Sequence, residues 1–161
     1  QDAIQISPTK QIVYFELAQL YLTQGKVDQV IATLRKAWYF DKSFQNAGLN
    51  LWLIGLVSKK PEVVAEVREV IKIKEIGNSE ALNRLGAVYQ QQGDLETALA
   101  IADRLVETVP DNPRYQATYG SLLAYFKRKD EAIKHLEEAL RLDPNFKEAQ
   151  QLLDQLKTRE K

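Results

Sequence analysis

The 22 basic residues of this 161-residue chain are balanced by 22 acidic ones, so it carries no net field to gather nucleic acid or an anionic membrane. It has no cysteine, which excludes disulfides and thiol chemistry without assigning a compartment. Its most apolar stretch, Ala47 to Val57, is too short to span a bilayer and contains Asn50.

In chain order, the hexad Ala3-Ile4-Gln5-Ile6-Ser7-Pro8 comes first, and Ala139-Leu140-Arg141-Leu142-Asp143-Pro144 repeats its pattern. Residues 1–9 are therefore expected to end a repeat that precedes them. With no Met in the chain, the segment reads as a piece of a longer protein. Apolar periodicity predicts a helix near 10–24, a turn at Gln24-Gly25-Lys26 and a second helix near 28–40. That helix closes on Trp38-Tyr39-Phe40, placed to pack the junction with the next repeat.

Residues 44–78 depart from the pattern. Gly48 and Gly55 lie on the face of Trp52, at i−4 and i+3 from it. Interior glycines cost about 1 kcal/mol each relative to Ala, so a packing reason is expected: one indole filling the space of two side chains. If the turn Ser58-Lys59-Lys60-Pro61 is read one residue short, the next helix places Val63, Val64, Val67, Val70, Ile71 and Ile73 in the core. Arg68, Lys72 and Lys74 then stay outside it.

Residues 79–112 are the regular stretch. Leu82, Leu85, Gly86 and Tyr89 stand at i, i+3, i+4 and i+7, one apolar stripe of a helix. Gly93-Asp94 breaks it, with Asp94 as N-cap, and a second run from Leu95 stops at Pro110-Asp111-Asn112-Pro113. Helices near 113–127 and 130–142 follow, around the basic turn Lys127-Arg128-Lys129 with Asp130 as cap. The last helix, near 146–159, keeps Leu152, Leu153 and Leu156. It carries Asp154 and Lys157 where the stripe would continue, a polar outer face suited to ending a stack.

Steps of about 34 residues from Leu85-Gly86 land on Leu17-Ala18, Leu51-Trp52, Tyr119-Gly120 and Leu153-Asp154. The run Leu82-x-x-Leu85-Gly86-x-x-Tyr89, with Gly93, Ala98 and Pro110, resembles the tetratricopeptide repeat (TPR). Tyr14, Leu17, Ala18, Tyr21 and Gly25 carry the same pattern, as do Gly120, Ala132, Leu136, Ala139 and Pro144. The resemblance implies one all-α domain over 1–161, a right-handed α-solenoid of antiparallel helix pairs. Its repeats would be 10–43, 44–78, 79–112 and 113–145, with 146–161 as capping helix.

Little in the chain points to catalysis. The single histidine, His135, is expected on a polar helix side, which leaves no His triad and no multi-His metal site. No Gly-rich phosphate loop occurs, and Glu137-Glu138 lies on a solvated face. No enzyme activity, metal or cofactor is expected. The resemblance implies binding, because first helices of successive repeats line a concave surface. The facing residues would be Phe15, Gln19 and Leu22; Leu49, Leu53 and Leu56; Asn83, Ala87 and Gln90; and Ala117, Ser121 and Ala124. Asn46, Asn50, Arg84 and Arg114 flank them.

Such a groove is apolar in its first half and small and polar in its second. It would take a protein or peptide, helical or extended, with apolar anchors; nucleic acid and direct membrane insertion are not expected. Some relatives clamp a peptide carboxylate with Lys, Asn and Arg. This chain keeps Asn50 and Arg84 but has Phe15, Gln19 and Glu80 at the other positions, so no such clamp is expected. Two further readings stand beside these. The stretch from Ser7 to Tyr21 resembles the TPR tails of O-antigen ligase-like membrane proteins, which would make this an accessory tail in glycan assembly. An open N-terminal face would instead pair two copies.

Overall fold

The computed structural model describes residues 8–40 and 45–158, with side chains from Val13 onward and without that of Phe40. Among the described residues there are nine α-helices and no strand. They are α1 (Pro8–Thr23), α2 (Val27–Phe40), α3 (Gln45–Val57), α4 (Pro61–Val70), α5 (Ser79–Gln92), α6 (Leu95–Thr108), α7 (Pro113–Tyr125), α8 (Lys129–Leu142) and α9 (Lys147–Thr158). A 3-10 turn, Ile73–Glu75, follows α4. The expected repeat end at residues 1–9 lies largely outside the described residues, as does the packing of Phe40. The chain divides after Glu75 into two compact halves.

One local device makes each antiparallel pair. The first helix of every repeat ends in a residue of left-handed conformation: Gly25, Lys59, Gly93 or Lys127, with φ of 69°, 56°, 80° and 60°. The next N–H then reaches back to a carbonyl of the last turn. Lys26 donates to Tyr21, Lys60 to Gly55, Asp94 to Tyr89 and Arg128 to Leu123, at 2.8–3.0 Å. The left-handed residue itself donates to Leu22, Leu56, Gln90 or Ala124. This is the Schellman arrangement, which satisfies two terminal carbonyls and reverses the chain at once. Glycine adopts that conformation without strain; at the other two turns lysine adopts it.

The same device settles the caps. After Gly93, Asp94 takes the N-cap position, and its carboxylate accepts from the Thr97 N–H at 3.0 Å. After Lys127 the equivalent residue is Arg128, so the cap expected at Asp130 is not formed. Asp130 falls in the first turn of α8, where a negative charge still favours the helix N-terminus. Asn78 and Asn112 cap α5 and α7, accepting from Ala81, and from Arg114 and Tyr115.

In the N-terminal half α2 packs against both α1 and α3, and α3 against α4. Trp38, Leu51, Trp52, Val63, Val67 and Ile71 are buried there. The shortened register past Lys60 holds for Val63, Val67 and Ile71, while Val64 and Ile73 are half-buried and Arg68, Lys72 and Lys74 are exposed. Val70 is exposed, contrary to expectation. The helix stops at Val70, and Ile71 turns inward in extended conformation. The volume swap is also different from the one expected. A Cβ on Gly48 would meet Ile71 Cδ1 at 2.6 Å and Trp38 Nε1 at 2.9 Å, and one on Gly55 would meet Val63 and Val64 at 3.1 Å. The space is therefore taken by Trp38, Ile71 and the valines of α4, not by Trp52. On the second helices, Arg35 donates twice to Glu66 at 2.9 and 2.7 Å, and the Tyr39 hydroxyl donates to it at 2.7 Å, tying α2 to α4.

In the C-terminal half α6 packs on α5 and α7, and α8 on α7 and α9. Ala117, Leu136, Ala139, Ala149 and Leu153 form a core backed by Ile133, Leu140, Phe146, Leu152 and Leu156. Asp154 and Lys157 stand exposed on α9.

Gly48→Ala tests the close approach of α3. Overpacking against Trp38 and Ile71 is expected to cost about 1–3 kcal/mol in urea unfolding. Gly77→Ala, whose new Cβ would meet nothing within 4 Å, is expected to leave stability unchanged or raise it by up to about 1 kcal/mol.

Candidate functional site

Helices α1 and α3 flank a groove in the N-terminal half of about 250 Å³. Phe15, Gln19 and Leu22 line it from α1, and Asn50, Leu53 and Val57 from α3, above Ala18, Val30, Leu34 and Ile54. Leu22 and Val57 are 46% and 60% exposed, so apolar surface is presented to solvent. Of the residues expected here, Phe15, Gln19, Leu22, Asn50 and Leu53 come together. Leu49 and Leu56 do not: at 2% and 7% exposure they belong to the core. Each directly follows one of the glycines at which α3 makes a close approach, Gly48 or Gly55. Asn46 is exposed beside the groove, where its backbone carbonyl accepts from Asn50 Nδ2 at 2.8 Å. Val57 was missed in the sequence, although Asn50, Leu53 and Val57 stand at i, i+3 and i+7 on one helix face.

A second cleft, of about 220 Å³, lies in the C-terminal half. Asn83, Ala87 and Gln90 of α5 face Tyr115 and Thr118 of α7, over Ile101 and Leu105 of α6. Arg84 is not part of it and pairs with Glu80 one turn earlier on α5, the acid expected to defeat a carboxylate clamp. Ala117 is in the core, Ala124 is half-buried, and Ser121 and Arg114 are exposed. Both volumes fall below the range of pockets that enclose a small-molecule ligand.

His135 does not occupy a polar helix side. It is half-buried, its Nδ1 lies 2.8 Å from Gln116 Oε1, and its ring meets Tyr119 edge-on at 4.6 Å. Gln116 is buried and donates through Nε2 to the Pro110 carbonyl at 2.8 Å. With Oε1 as acceptor, Nδ1 carries the proton. One buried amide thus joins the α6–α7 turn, α7 and α8. Burial holds the His135 pKa below its ordinary 6.5, with Arg128 acting the same way against the pull of Asp103, Glu131 and Glu138. Burial, with a hydrogen bond to Asp103, pushes the Tyr119 hydroxyl up to about 12. Among the described residues no group of three or more His, Asp or Glu side chains is set to hold a metal ion.

Models of the tetratricopeptide repeat match residues 12–44 and 78–145, and the chain belongs to this family. The TPR repeat-containing thioredoxin TTL4 of Arabidopsis thaliana is 37% identical over 82 residues, 51% of this chain and 12% of that protein. The match thus spans about an eighth of that relative's length. A solved structure of MamA superposes with a TM-score of 0.68 at 18% identity, covering 91% of this chain and 80% of that one. YrrB, described as a TPR protein with an unusual peptide-binding site, superposes at 0.57 and 16% identity, over 88% and 73%. These structures share the fold. Among the described residues no helix is long and apolar enough to cross a membrane.

The His135 environment predicts a pH dependence. Since the folded pKa lies below the unfolded one, its contribution to stability is complete above pH 6.5 and is lost as pH falls through the folded value. Urea midpoints are expected to drop between pH 7 and pH 5, and to drop less in His135→Gln. The imidazole resonances in NMR should titrate below 6.5.

Proposed function

We propose that this chain is an interaction scaffold that takes a segment of another protein in the groove between α1 and α3. Proteins of this fold are in general non-catalytic scaffolds for protein interaction. The observation that carries the reading is the apolar lining of that groove along two adjacent first helices, with Leu22 and Val57 exposed and Phe15 and Leu53 half-buried. Exposed apolar surface framed by polar residues is characteristic of an interaction site. Most binding energy in such a groove comes from a few apolar anchors at its centre.

A second reading concerns another face of α1. Val13 and Leu20 are more than half exposed. One repeat pattern places them with Ala149 and Leu156 of α9, which pack in the core against α8. An uncovered stripe of this kind suits pairing with a second copy. For the chain's origin, the likeness of Ser7–Tyr21 to the tails of O-antigen ligase-like proteins supplies a third reading. A run of membrane-spanning helices encoded upstream would support it, and a soluble upstream domain would end it.

Leu53→Glu is expected to weaken partner binding by about tenfold or more, since complex formation would desolvate the new charge; isothermal titration with a captured partner measures it. Unchanged affinity would remove this face from consideration. Self-pairing predicts a mass in light scattering that rises with concentration and returns to that of one chain in Val13→Ser/Leu20→Ser.

A further inference from the structure

We infer that the face on which Arg35, Tyr39 and Glu66 tie α2 to α4 is a docking surface for a basic segment of a partner protein, one that carries cations beside an apolar side chain. None of these residues lines the groove between α1 and α3, so the two surfaces are separate sites.

The apolar part of this face is small and held in place. Tyr39 is 57% exposed and Val70 is 41% exposed. The Tyr39 hydroxyl donates to Glu66 Oε1 at 2.7 Å, and Arg35 donates to Oε2 of the same carboxylate at 2.9 and 2.7 Å. The Tyr39 ring lies beside the buried Trp38, with centroids 5.8 Å apart. A side chain anchored in this way has little rotamer freedom left to lose when a partner covers it. Ordered tyrosines are also among the residues that carry most of the energy at interfaces.

The charge around it is one-sided. Glu62, Glu66 and Glu69 stand at i, i+4 and i+7 of α4, with Val70 on the same face. Arg35 neutralises Glu66. Glu62 and Glu69 are exposed, and among the described residues neither enters an ion pair. The nearby cations are engaged elsewhere. Lys60 pairs with Asp28 at 2.8 Å, Arg68 lies over the Trp52 ring at 5.9 Å, and Lys72 Nζ donates to the Arg68 and Glu69 carbonyls at 2.6 and 2.9 Å. Lys36, on α2, is exposed. Two uncommitted carboxylates thus stand against one lysine.

That balance selects the occupant. Glu62 and Glu69 are seven residues apart, about 10 Å along the helix, and two cations at that separation would meet both. An acidic segment would be repelled. A second copy docking by the same face would set these carboxylates against their own equivalents, since a two-fold contact is self-complementary. Exposed ion pairs contribute little each; here they orient and select the partner, while Tyr39 and Val70 supply the apolar contact.

The test is an NMR titration of the isotope-labelled whole chain with a short peptide of Arg, Leu and Ser. It carries Leu between two Arg that stand three residues apart, about 10 Å in an extended chain. A twin with Glu in place of Arg is the control. The arginine peptide is expected to shift the amides of Tyr39, Glu69 and Val70. Its affinity should fall about fivefold in Glu62→Gln/Glu69→Gln and about tenfold in Tyr39→Leu, while Tyr39→Phe, which keeps the ring, should lose less. Leu53→Glu should change nothing, which separates this surface from the groove. Equal binding of the glutamate peptide would overturn the proposal. So would shifts absent from α2 and α4 at millimolar peptide, or binding indifferent to both the glutamine pair and Tyr39→Leu.

Discussion

Everything in this chain depends on how a first helix ends. One residue in left-handed conformation lets two terminal carbonyls find donors and turns the backbone through a reversal within three residues. The second helix must then lie antiparallel against the first, and its apolar stripe meets the stripe it left. The four turns use the same bonds although two are built on glycine and two on lysine. The bond pattern, more than the residue at the corner, defines the repeat. Because the reversal is tight, neighbouring first helices can flank a cleft.

A second constraint acts on α3. Without Cβ atoms at Gly48 and Gly55 the helix comes close to Trp38, Ile71 and the valines of α4. Leu49 and Leu56 sink into the core, and Asn50, Leu53 and Val57 become the wall. One face of α3 packs in the core, and the other lines the groove.

Polar groups inside the chain are used for joining helices. Gln116, His135 and the Pro110 carbonyl hold the α6–α7 turn to α8, and Arg35, Tyr39 and Glu66 hold α2 to α4. A lone histidine among polar residues invites a functional reading. Its partners here are a buried amide and an aromatic ring, and its depressed pKa follows from burial, so its part is structural. The chemistry of the clefts is largely apolar between α1 and α3, and includes the amides of Asn83 and Gln90 between α5 and α7.

The sequence by itself determined the helices, their pairing and the order of the repeats, because apolar period, glycine at turns and caps such as Asp94 are local properties. The resemblance to the repeat family implied Phe15, Gln19, Leu22 and Leu53 for the concave face with Asn50 beside them, and these five line one groove. Three things were decided by tertiary structure. Arg128 replaced Asp130 at the cap because the left-handed residue sets the register of the turn. Leu49 and Leu56 were lost to the core and Val57 gained for the groove, because helix depth depends on what the opposite face meets. His135 turned inward because Gln116, nineteen residues away in sequence, was waiting with an acceptor. A helical period tells which residues share a face; only packing decides whether that face is covered.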